Sequence, residues 1–108
     1  MITNYHVEKM TPEMLYQNYL MASYCYYQLD ETIMLDTTFD YLVQKLIPHF
    51  EPLNHKDKHL TTMEDLNAST CLLLRNNYPS EVKINALKYL EQAEKGLIPI
   101  KDMKGGYD

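Results

Sequence analysis

The chain has 108 residues, 45% of them hydrophobic, which predicts a single domain with a core of its own. A formal charge of −5, one arginine (Arg75) and no basic cluster argue against direct nucleic-acid binding, which needs several Lys or Arg contacts on one face. No apolar run approaches the ~18 residues of a membrane span, and MITNYHVEKM lacks the basic start and apolar core of a signal peptide, so a cytoplasmic protein is expected.

The negative charge is uneven. Residues 1–54 hold seven acids and two bases (Lys9 and Lys45), whereas residues 55–108 hold eight of each. The two cysteines, Cys25 and Cys71, fall inside helical patterns and read as buried free thiols.

In chain order, residues 1–10 show no periodicity and are expected to run extended. Thr11-Pro12-Glu13 then starts a helix: a capping hydroxyl, a proline at the first helical position and an acid in the positive first turn. Leu15, Tyr19, Ala22, Tyr26 and Leu29 form one apolar stripe, which Tyr16, Leu20 and Tyr27 widen, as in a helix buried on more than one side. Asp30-Glu31-Thr32 ends it, with acids unfavourably placed at the negative helix end. Asp36 is the expected N-cap of a second helix with Phe39, Leu42, Val43, Leu46 and Ile47 inward, stopped near Pro48.

A polar connection, His49–Leu60, leads to Thr61-Thr62-Met63-Glu64, a capping-box pattern opening a third helix through Met63, Leu66, Thr70, Leu73 and Leu74. Asn76, Asn77 and Pro79 break it. Ser80 caps a fourth helix with Val82, Ala86, Tyr89, Leu90 and Ala93 inward and Gly96 just past its end. Residues 97–108 are expected to form an apolar strap with a loose tip. No stretch alternates with period 2, so the expected fold is an all-α bundle of about four helices, 12–47 forming a hairpin and 61–95 a second pair.

Three constellations could carry chemistry. Asp30, Asp36 and Asp40 follow Tyr26 and Tyr27 across the hairpin loop, and Asp36 and Asp40 share a helix face. Aromatic rings beside carboxylates suit a cationic aromatic ligand, although tyrosines at helical spacing are more often packing. His55 and His59 are four apart but lack the third and fourth ligands of a metal site, so no metal is expected. Cys25 lies in an apolar, acidic neighbourhood that keeps a thiol inert, and no histidine accompanies Cys71.

The stretch YCYYQLDETIMLDTTFDYLVQKL resembles the N-terminal helical hairpin, domain Ia, of bacterial NAD-dependent DNA ligases. The gapless match runs through Tyr26, Tyr27, Asp30, Asp36, Phe39 and Asp40 and covers about residues 12–50. The resemblance implies a hairpin that closes over the nicotinamide mononucleotide half of NAD, with Tyr26, Tyr27, Asp36, Phe39 and Asp40 at the contact positions. Tyr27 stands where the family has histidine, and Phe39 where it has tyrosine. The catalytic lysine motif K-x-D-G and the OB-fold of a ligase are missing from this chain, which cannot seal DNA alone.

Two functions follow as expectations. The first is a non-catalytic acidic binding module that contacts a protein partner through Tyr26, Tyr27, Asp30, Asp36, Phe39 and Asp40, without cofactor. Small accessory proteins of phages or mobile elements have this profile, including inhibitors of nucleic-acid-processing complexes. The alternative is a module that binds NAD or nicotinamide mononucleotide and works with a separate adenylation domain.

Overall fold

A computed structural model describes residues 1–68 and 78–94. Its helices are α1 (Asn4–Glu8), α2 (Pro12–Gln28), α3 (Asp36–Phe50), α4 (Met63–Asn67) and α5 (Ser80–Glu94), with a single 3₁₀ turn at Lys58–Leu60. Among the described residues the only extended pairing is one parallel bridge, Ile2 with Met34, so the domain is all-α. Cys71, the distal part of the expected third helix (Thr70, Leu73, Leu74, Asn76, Asn77), Gly96 and the expected 97–108 strap lie outside the described residues.

Helix α2 is the axis of the fold, packing against α3 on one side and α5 on another. Thr11 accepts a hydrogen bond from the Met14 N–H at 3.3 Å, and Pro12 opens the first turn as its spacing predicts. Leu15, Tyr16, Tyr19, Leu20, Met21, Ala22 and Cys25 are buried. Each large apolar side chain taken from water contributes about 1.5–3 kcal/mol, which fixes α2 at the centre. Two buried polar side chains on α2 are satisfied within the helix: Asn18 donates to the Met14 carbonyl (2.8 Å) and Ser23 to that of Tyr19 (2.7 Å).

Several local expectations change. Residues 1–10 are not extended throughout, because Asn4–Glu8 forms one helical turn whose Thr3 N–H donates to His6 Nδ1 at 2.9 Å. Burial of Ile2 and Val7 provides the driving force that periodicity could not reveal over so few residues. Pro48 does not stop α3, which continues to Phe50. Phe50 is buried, and the proline denies a donor only to the carbonyl of Gln44, on the exposed side of the helix.

The capping box shifts by one residue, to Thr62 and Asp65, whose side chains and backbone N–H groups pair reciprocally at 3.1 and 3.3 Å. Thr61 is instead buried, 3.0 Å from the Tyr16 hydroxyl, which donates to the Asp57 carbonyl at 2.7 Å. On α5, Val82, Ala86 and Tyr89 are buried as their spacing predicts, whereas Ala93 is exposed. Helix α5 begins at Ser80 itself, so Ser80 is its first residue and not a residue before it.

Candidate functional site

The connection between α2 and α3 turns on Asp30. Its φ of 54° lies in the left-handed region, where Asp is better tolerated than most side chains. The Cys25 carbonyl accepts from the N–H groups of both Leu29 (3.2 Å) and Glu31 (2.9 Å), closing the end of α2. Beyond the turn, the Ile2 N–H donates to the Ile33 carbonyl at 2.8 Å. Ile33 and Met34 are buried beside Ile2, so the N-terminal segment anchors this connection.

Between this anchored loop and the two helices lies a cleft of about 330 Å³. Its aromatic walls are Tyr26 and Tyr27 of α2 and Phe39 of α3, its charged groups are Glu31, Asp36 and Asp40, and Ile33 and Met34 contribute apolar surface. Tyr26, Tyr27, Asp36, Phe39 and Asp40 are therefore brought together. Asp30 is not in the lining: its backbone makes the turn, and the neighbouring Glu31 occupies the cleft wall instead.

The tyrosines divide between core and surface. Tyr16 and Tyr19 are fully buried, but Tyr26 and Tyr27 are 57% and 51% exposed, which removes them from the packing stripe expected of them. At the end of α2 the buried line steps from Ala22 to Cys25, with Leu29 half-buried, so residue 26 rotates off that face. The rings of Tyr26 and Tyr27 meet edge to face at 5.0 Å. Phe39 stacks on buried Tyr19 at 5.5 Å, and Tyr19 in turn stacks on Tyr16 at 6.0 Å. This column ties the Phe39 ring to the core and fixes the wall it presents.

Asp36 does not cap α3. Leu35 occupies the cap position without a side-chain bond, and Asp36 is the first helical residue. Its carboxylate is thus not consumed by the role that local sequence assigns it. Asp36 complements the positive helix end, and Asp40 follows one turn later on the same wall.

The other candidates separate from this site. Cys25 is buried, and loss of hydration together with Glu31 pushes its thiol up to about 11, which leaves it unreactive. His55 is half-buried, edge-on to Tyr16 at 5.0 Å, and its Nδ1 accepts from the Asp57 N–H at 3.0 Å, so it is a packed residue. His59 remains exposed, and among the described residues no group of three potential ligands could hold a metal ion. Rings and carboxylates on one concave surface can hold a flat cationic group through π-face and charge contacts. Among the described residues the lining offers no basic side chain to a phosphate. No family model, curated protein or solved structure matches this chain.

Proposed function

We propose that this chain is a non-catalytic binding module whose hairpin cleft receives the nicotinamide end of NAD or of nicotinamide mononucleotide, in cooperation with an adenylation domain on a separate chain. The observation that carries this function is the convergence of Tyr26, Tyr27, Asp36, Phe39 and Asp40 on one concave surface. A concave site lined by rings with a few convergent polar groups is the usual form of a small-molecule site, and its volume lies at the small end of the usual range. A ring-sized group fits it, and a whole dinucleotide does not.

Calorimetric titration with NAD and nicotinamide mononucleotide tests the proposal. Saturable binding that Asp36→Asn and Asp40→Asn each weaken, by about tenfold for the loss of a charged contact, is the expected result. Heats that stay at the dilution level to millimolar ligand, or that are unchanged in both variants, would reject it.

A second function, contact with a protein partner, draws on the rim of the cleft. Leu35, which precedes Asp36 of the lining, is 58% exposed, and large apolar surface together with exposed tyrosines and acids suits an interface with a basic partner. On that account Leu35→Asp abolishes partner binding, while nicotinamide ligands neither bind nor compete.

A further inference from the structure

The cleft carries negative charge that the described protein leaves unbalanced. Glu31, Asp36 and Asp40 line it, and among the described residues no Lys, Arg or His does. The only two bases in residues 1–54 are held elsewhere: Lys9 lies over the Tyr5 ring at 5.3 Å and Lys45 over that of Tyr41 at 5.6 Å. Neither tyrosine is part of the lining. The ion pair of Lys56 with Glu81 joins the 55–60 connection to α5 and involves none of the three. The start of α3 offers a positive end worth about half an elementary charge, and Asp36 already sits on it. Three carboxylates in a concavity focus a negative potential into it.

A ligand for this space needs a positive charge, a flat or apolar body to lie against the rings, and no anionic group within it. Resting on the cleft as the binding site proposed above, we infer that its true selectivity is for small organic cations without a phosphate, such as N-alkylated pyridinium compounds. A phosphate attached to such a ring must point out of the cleft, where this chain provides nothing to hold it among the described lining residues. The described cleft thus accepts the ring and discriminates against the phosphorylated forms. Cationic groups on a second chain would be required to reverse that order.

Calorimetry with 1-methylnicotinamide, nicotinamide riboside, nicotinamide mononucleotide and uncharged nicotinamide separates these terms. At about 50 mM salt the two phosphate-free cations are expected to bind about tenfold more tightly than the mononucleotide, because the phosphate and the carboxylates repel within one Debye length. At about 1 M salt, where that length is about 3 Å, the gap is expected to fall below about threefold. Glu31→Gln narrows it at low salt as well, and uncharged nicotinamide binds most weakly of the ring compounds. A mononucleotide that binds as tightly as the riboside, or uncharged nicotinamide that matches 1-methylnicotinamide, overturns the inference and leaves the proposed function standing. Absence of binding by all four probes overturns both.

Discussion

Asp30 shows how a residue can look functional in sequence and turn out to be conformational. Its acid at the negative end of α2 has no electrostatic merit, and it matches the domain Ia pattern, yet it occupies the left-handed turn and stands outside the cleft lining. Glycine adopts that conformation without the side-chain penalty. Asp30→Gly is therefore expected to raise unfolding free energy by about 1 kcal/mol and to leave ligand affinity unchanged, measured by urea denaturation and calorimetry. Glu31, which a pattern centred on aspartates passes over, has the larger claim on the site. His55 gives a second residue-scale prediction. Burial lowers its pKa from 6.5, partly offset by Asp57 and Glu81, and its Nδ1 accepts a backbone hydrogen bond that protonation of that nitrogen would abolish. The unfolded chain therefore binds the proton more readily than the folded one. The stabilisation is fully present above the unfolded value and declines as pH falls below about 6.5 toward the lower folded value. Thermal melts from pH 7.5 to 5.5 are expected to show this decline, and His55→Gln flattens it apart from the contribution of His6, which is shifted in the same direction by burial and the N-terminal charge.

At the scale of elements, the start of α2, the buried face of α3 and the inward line Val82, Ala86, Tyr89 of α5 were all legible in the sequence, because each has a helical period, to which α2 adds a start signal that holds. Three features were not. Thr61 and Thr62 are chemically alike, and only the position of Tyr16 decides which is buried and which caps. Pro48 reads as a terminator, but tertiary burial of Phe50 carries α3 past it. The short helix α1 owes its existence to distant partners: Ile2 meets Ile33 and Met34, and Tyr41 donates a hydrogen bond to Glu8. A periodicity search confined to ten residues cannot see them. This N-terminal anchor also holds one wall of the cleft, since Ile33 and Met34 belong to both. Ile2→Ala is expected to lower stability by about 2 kcal/mol through the cavity it leaves. Amide hydrogen exchange should show the largest loss of protection at residues 31–35, and equal loss throughout the chain would contradict the anchoring role.

For the whole molecule, residue types and spacing were enough to predict an all-α fold, and five of the six candidate residues, Phe39 among them through the domain Ia resemblance, line one cleft. They could not distinguish tyrosines that pack from tyrosines that line a cleft, because both kinds recur at helical intervals on α2. Burial separates them: Tyr16 and Tyr19 support Phe39 from beneath, and Tyr26 and Tyr27 face the opening. The domain thus builds an aromatic column in its core and presents its upper end beside carboxylates that no described base balances. The most direct measurement of its central claim is a heteronuclear NMR titration of the full chain with 1-methylnicotinamide and with nicotinamide mononucleotide. The account predicts saturable shifts concentrated at Tyr26, Tyr27, Glu31, Asp36, Phe39 and Asp40, lost in Asp36→Asn/Asp40→Asn while the rest of the spectrum is preserved. Spectra unchanged at millimolar ligand, or shifts centred away from the hairpin, would contradict it.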